Sequence, residues 1–197
     1  MPRSPRPSNQ LRVIGGRFRG RRLAFPDAPG LRPTPDRVRE TLFNWLMPVI
    51  DGARCLDLFA GSGALGIEAL SRGARLVQFV EREPAVARAL AANLALLGAG
   101  DTAALAARDA LAWLDGPAQP FDVVFLDPPF HHGLLPAVCE RLAAGWLAPQ
   151  ARVYLESESE SGSGSGQGGA DALPPGWTLL RERTAGQVRY RLVTPSA

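Results

Sequence analysis

The sequence predicts an α/β fold: a mostly parallel sheet with helices on both faces, preceded by a basic β-hairpin and closed by an antiparallel hairpin. Two observations carry this prediction. From Arg54 onward, short apolar runs alternate with Ala- and Leu-rich stretches of helical length, the pattern of repeated strand-helix-strand units. Near each end, by contrast, apolar and polar residues alternate about Gly15-Gly16 or Ala185-Gly186, as in hairpins. With 197 residues, 46% hydrophobic and 21% charged, the chain can bury one core without a disulfide or a structural metal.

The elements follow in order. Residues 11–25, LRVIGGRFRGRRLAF, interleave Leu11, Val13, Phe18 and Leu23 with basic residues and are read as a hairpin. Pro and Gly dominate from Pro26 to Pro35, a loop. Val38, Leu42, Trp45 and Leu46 recur at helical spacing across residues 36–47, with Thr34 as N-cap and Pro35 as first helical residue. Strands are expected at 55–59, 76–80, 103–107, 121–126 and 152–156, and helices at 64–72, 84–97, 110–114 and 134–146. Right-handed crossovers then place a ligand crevice at the carboxyl ends of the strands. Residues 157–170, SESESGSGSGQGGA, are too polar to bury and are read as a mobile loop. Residues 177–183 and 188–194 form the closing hairpin.

Charge distribution says more than the formal +3. All 22 basic residues are Arg, which a GC-rich codon usage explains as readily as a need for guanidinium chemistry. Seven lie in the first 22 residues with no acid among them, and Arg12, Arg17, Arg19, Arg21 and Arg22 crowd the hairpin. A basic arm on a mildly acidic body is a handle for phosphates, although a solvated tail has the same composition. Cys55 and Cys139, with His131 and His132, offer no zinc-like spacing, so no metal is expected. There is no apolar signal segment and no run of 18 apolar residues, so a cytoplasmic protein with reduced thiols is expected.

The chemistry-bearing residues collect at predicted strand ends. Gly61, Gly63 and Gly66 form a Gly-x-Gly-x-x-Gly after the first sheet strand, which lets backbone approach a nucleotide cofactor. Glu81, twenty residues past Gly61, can accept from both ribose hydroxyls. To this point NAD and S-adenosylmethionine fit equally. Asp57, ahead of the glycines, suits a cationic amino group, which an amino-acid moiety has and a dinucleotide lacks. Asp109 can take an adenine amino group, cap the helix beginning at Ala110, or do both. Asp127-Pro-Pro-Phe130 is the sharpest signal. A purine amino group has its lone pair delocalised into the ring. Acceptors aimed at its hydrogens, the Asp127 carboxylate and the Pro128 carbonyl, favour the pyramidal, nucleophilic nitrogen. Pro128 and Pro129 fix the carbonyl, and Phe130 can stack on the base. A base paired in a helix must first be flipped out. His131 and His132 suit RNA contact better than general-base work, since a methylated amine sheds its proton readily.

These motifs resemble the RsmD family of bacterial 16S rRNA guanine-N2 methyltransferases over nearly the whole chain. Arg12-Val-Ile-Gly-Gly-Arg17, Arg32-Pro-Thr-Pro-Asp-Arg37-Val-Arg-Glu-Thr-Leu-Phe-Asn-Trp45, Asp57-Leu-Phe-Ala-Gly-Ser-Gly63, Asp127-Pro-Pro-Phe130 and Ala185-Gly-Gln-Val-Arg-Tyr190 carry the resemblance. It implies a Rossmann-like methyltransferase fold with a seven-stranded sheet, residues 1–30 as arm and hairpin and residues 31–197 as the methyltransferase domain. It also implies S-adenosylmethionine held by Asp57, Phe59, Gly61, Gly63, Glu81 and Asp109, with Thr34 and Arg37 at the rim, and Asp127 to Phe130 around the target base. The basic hairpin would meet 16S rRNA in the 30S subunit or an assembly intermediate, and the protein would act as a monomer. A helix cap explains Thr34 and a surface ion pair explains Arg37 equally well, and the Ser/Gly run exceeds the family's usual connection. Rival readings are a DNA adenine-N6 methyltransferase, a nicotinamide dehydrogenase, which leaves Asp127-Pro-Pro-Phe130 unexplained, and a non-catalytic RNA-binding module.

Overall fold

The computed structural model describes residues 9–28, 31, 34–128, 133–158 and 173–195. The chain opens with β1 (Asn9–Arg12) and β2 (Arg22–Phe25), paired antiparallel with Leu11 opposite Leu23. A seven-stranded sheet follows, built from β3 (Arg54–Asp57), β4 (Leu76–Val80), β5 (Ala103–Ala106), β6 (Phe121–Leu126), β7 (Leu147–Glu158), β8 (Trp177–Ala185) and β9 (Val188–Pro195). Its order is β5-β4-β3-β6-β7-β9-β8, parallel from β5 to β7 and antiparallel at β9. Strand order reverses between β3 and β6, and such a switch point opens a crevice beyond the carboxyl ends.

The helices are α1 (Asp36–Leu46), α2 (Ala64–Ser71), α3 (Pro84–Leu96), α4 (Ala110–Leu114) and α5 (Leu135–Ala143). Two apolar layers flank the sheet, one per face. Cys55, Phe79, Val123, Phe125 and Tyr154 point into the layer that holds α1, α2, α3 and the hairpin's Leu11, Val13, Leu23 and Phe25. Leu56, Leu58, Val124, Leu126 and Val153 point into the other, against Leu114 of α4 and Val138, Cys139 and Leu142 of α5. This alternation is the period-2 pattern of strands buried on both faces.

Three expectations are corrected. Thr34 does not cap α1. Pro35 occupies the cap position, and its carbonyl takes the first helical bonds from the Val38 and Arg39 amides at 3.0 and 3.1 Å, with no side-chain cap. The first sheet strand stops at Asp57, where the chain turns toward the glycines. The strand expected at 152–156 runs from Leu147 to Glu158, because the antiparallel partner β9 pairs with it as far as Glu158 opposite Val188; residues 157 and 158 are therefore strand, not loop. The remainder of the Ser/Gly run lies outside the described residues.

Candidate active site

Asp57 ends β3 and is 3% exposed. Its Oδ2 accepts from the Gly66 amide at 2.9 Å, the free donor of the first turn of α2. Burial raises its pKa to about 7; the Gly66 hydrogen bond opposes this rise and the charge of Glu81 adds to it. Gly63, at φ +79°, turns the chain into α2, and a Cβ there would lie 2.5 Å from Leu90 Cδ1. At Gly66 a Cβ would lie 2.2 Å from the Phe79 ring. Glu81 sits just past β4; its Oε2 accepts from the Gly61 amide at 2.8 Å and its Oε1 from the Glu83 amide at 2.7 Å.

These bonds test the two cofactor classes. A dinucleotide's pyrophosphate is bound by the amides of the glycine turn and the helix start. Here the Gly61 and Gly66 amides are engaged by the chain's own carboxylates, and a diphosphate would face Asp57 and Glu81 at close range. S-adenosylmethionine instead offers an ammonium, a ribose diol and an adenine amino group, all donors for carboxylate oxygens. The residue set fits it.

The other predicted cofactor residues are placed as follows. Asp109 caps α4, with Oδ1 accepting from the Leu111 and Ala112 amides at 2.9 and 3.1 Å, and it stays exposed. Phe59 is half-buried against the α4/α5 layer. Thr34 is buried and its carbonyl accepts from Arg39 Nε at 3.1 Å. Arg37 is exposed on the first turn of α1, with no ion pair among the described residues.

Asp127 follows β6, beside Asp57 across the switch point, and buried Pro128 follows it. Among the described residues nothing donates to the Asp127 carboxylate. Burial, then the charges of Glu156 and Asp57, hold its pKa well above the ordinary carboxylate range. Pro129, Phe130, His131 and His132 lie outside the described residues. Sequence reading missed two neighbours on β7. Glu156, 5% exposed, accepts from the buried Tyr154 hydroxyl at 2.8 Å. The signal was available: the parallel strands end in acids, Asp57, Glu81, Asp109 and Asp127, and Glu156 completes the series.

The arginines of the hairpin tip are not at the crevice, whereas Arg12 lies at the start of α1, beside the rim residues Thr34 and Arg37. Arg12 pairs with Asp36 at 3.1 Å. Arg17 reaches Thr102 Oγ1 at 3.5 Å and lies over the Phe18 ring, Arg21 reaches the Leu96 carbonyl at 3.3 Å, and Arg19 and Arg22 are exposed. Leu96 and Thr102 mark the amino-end edge of the sheet. The hairpin tip thus lies roughly the length of α2, about 12 Å, from the glycine turn.

Among the described residues, no cluster of His, Cys, Asp and Glu could hold a metal, and no helix is long and apolar enough to cross a membrane. The cavity lined by Asp51, Asp122 and Arg152 opens at the amino ends of the strands, opposite the crevice.

A family model described as "Conserved hypothetical protein 95" matches residues 11–194. Ribosomal RNA small subunit methyltransferase D of Escherichia coli K12 is 52% identical over 186 residues, covering 94% of this chain and 90% of that protein. The chain belongs to the ribosomal RNA small subunit methyltransferase D family. The methyltransferase D protein of Haemophilus influenzae is 46% identical over 96% of each chain. Among solved structures, Escherichia coli yhhF superposes on this family member with TM-score 0.85 at 48% identity, covering 96% of this chain and 99% of that one. A ribosomal protein L11 methylase from Lactobacillus delbrueckii, at 17% identity and TM-score 0.62, shares only the fold. This chain thus has the Rossmann-like fold of S-adenosylmethionine-dependent methyltransferases.

Proposed function

We propose that this chain transfers a methyl group from S-adenosylmethionine to the exocyclic N2 amino group of a guanine in 16S rRNA, within the 30S subunit or an assembly intermediate, in the cytoplasm. One observation carries the reading: the Asp127 carboxylate, to which no described residue donates, followed by Pro128, beside Asp57 at the switch point of a chain half identical to a small-subunit rRNA methyltransferase.

When bound, the cofactor supplies an electrophilic methyl on a sulfonium. Asp57 would hold its ammonium, Glu81 its ribose hydroxyls and Asp109 its adenine amino group, with Phe59, Gly61 and Gly63 shaping the wall and Thr34 and Arg37 at the rim. Asp127 and the Pro128 carbonyl accept the two N2 hydrogens, which localises the nitrogen lone pair toward the methyl. Pro129 stiffens the turn and Phe130 stacks on the base. Attack by that lone pair would form the N–C bond while the methyl–sulfur bond breaks, its electron pair staying on sulfur. The nitrogen then releases one proton to Asp127 or to water. Arg12, Arg17, Arg19, Arg21 and Arg22 meet rRNA phosphates, those of the hairpin tip away from the reacting base.

Radiolabelled methyl transfer to hypomethylated 30S particles, followed by nucleoside analysis, tests this. N2-methylguanosine is the expected product. Asp127→Ala is expected to lower kcat by at least about 100-fold with cofactor affinity nearly unchanged, and Asp127→Asn, which keeps a carbonyl acceptor, to retain part of the activity. Full activity in the Ala variant overturns the assignment.

A further inference from the structure

We propose that Glu156 accepts the N1–H of the target guanine and thereby distinguishes guanine from adenine, an inference that rests on the guanine-N2 reading above. β6 and β7 are parallel with Leu126 opposite Leu155, so Asp127 and Glu156 emerge side by side one residue later. Their strands are about 4.8 Å apart. The period of two places both on the face that carries Phe125 and Tyr154.

Glu156 is almost fully enclosed, and a carboxylate so placed is costly unless donors meet it. Oε2 has its donor in the Tyr154 hydroxyl. That hydroxyl is itself fixed: the Tyr154 ring packs on Tyr190 at 6.5 Å, and Tyr190 stacks on Trp45 at 5.5 Å. Burial raises the Glu156 pKa and the Tyr154 hydrogen bond opposes that rise; in the ionised form, which an N1–H donor selects, Oε1 is an acceptor only. No donor among the described residues reaches Oε1.

The two purines differ at the position this oxygen meets. Guanine places a donor, N1–H, next to its N2 amino group. Adenine places a lone pair at N1 next to its N6 amino group. With Asp127 on the amino group, a neighbouring acceptor bonds guanine and repels adenine. A buried mismatch of two acceptors costs more than a missing contact, which makes this a strong filter.

The test compares 30S particles reconstituted with 16S rRNA carrying either guanine or 2-aminopurine at the target position. 2-Aminopurine keeps the 2-amino group but has a lone pair at N1. The wild type is expected to prefer guanine by about 10- to 100-fold in kcat/KM. Glu156→Gln keeps an oxygen for Tyr154 and turns an NH₂ toward N1, so it is expected to abolish that preference, chiefly by slowing the guanine substrate, with cofactor affinity unchanged. Tyr154→Phe leaves Glu156 in place without its hydroxyl donor and is expected to weaken the preference in part; it carries the same comparison if Glu156→Gln does not fold. A preference unchanged from wild type in a folded variant overturns the proposal, even if overall activity falls. If the wild type makes no N2-methylguanosine, the guanine reading itself has failed. If it does and the variants keep the preference, only the role of Glu156 has.

Discussion

At the residue scale, burial disfavours the charge of three of the site's carboxylates, Asp57, Asp127 and Glu156. Asp57 shows this most directly. Its folded pKa of about 7 lies well above the ordinary aspartate range, so the protonated form is preferred in the folded chain. Its contribution to stability is complete below the unfolded value and is lost as pH rises through about 7. Two outcomes are expected. Cofactor affinity rises between pH 5.5 and about 7.5, because an ammonium selects ionised Asp57 and binding releases a proton. Calorimetry in two buffers of different ionisation enthalpy measures that release, and a pH-independent affinity would refute it. The Asp57→Asn variant, which keeps an acceptor for the Gly66 amide, should melt about 3 °C or more above the wild-type apoprotein at pH 8, while binding the cofactor more weakly. The sequence located Asp57 and Asp127 because each stands beside a motif. Glu156 lacked such a neighbour, and its depth became visible only when β9 was paired on its other side.

At the scale of elements, the hairpin is joined to α2 by a buried carboxylate. Glu68, with no exposed side-chain surface, accepts from the Ile14 and Gly15 amides at 2.8 Å each and from Arg72 Nε at 2.7 Å. Arg39, 1% exposed, adds its charge at 3.7 Å and ties α1 to the hairpin through the Arg12 carbonyl at 3.0 Å. The Ser71 hydroxyl accepts from the Phe18 amide at 2.9 Å and donates to the Gly15 carbonyl. Gly16, at φ +71°, lies so close to the Ser71 carbonyl that a Cβ would sit 1.8 Å from it. Replacing Glu68 with Ala leaves the Ile14 and Gly15 amides without their acceptor and takes one of two carboxylates from buried Arg39, which keeps Asp36. The variant is expected to lose about 3–5 kcal/mol of stability in urea unfolding; a loss below about 1 kcal/mol would show that the hairpin is only loosely held. From sequence the hairpin reads as an arm ahead of the domain, because its basic residues dominate its composition. The contacts that seat it come from Arg39, Glu68 and Ser71, too far along the chain for any local pattern to reveal.

At the scale of the whole molecule, the basic hairpin tip and the candidate site occupy opposite ends of the sheet. In the proposed function the reacting base meets the carboxyl ends of β3, β6 and β7, while Arg17, Arg19 and Arg21 sit about one helix length away, toward the amino ends. An RNA contact there touches a different part of the substrate from the target nucleotide. Its geometry is fixed when rRNA is held in a folded particle. Initial rates are therefore expected to fall from hypomethylated 30S particles to naked 16S rRNA to a short stem-loop, at matched salt. Reversing Arg19 and Arg22 to Glu should leave cofactor affinity unchanged and flatten the salt slope of RNA binding by about 0.7–0.9 for each phosphate no longer neutralised. Equal rates on all three substrates, or an unchanged slope, would count against this division of labour. The sequence by itself determined the alternation of strands and helices, the glycine turn, the capping of α4 by Asp109 and the rigid Asp127-Pro128 step. Each is a short-range consequence of side-chain period, backbone freedom or turn chemistry. Only the tertiary structure decided that Asp57, Asp127 and Glu156, dozens of residues apart, share one face, and that the basic tip points away from them. Both depend on the register of strands joined by long crossovers and on packing across the sheet, and a register between distant strands is set by the whole core rather than by the residues within either one.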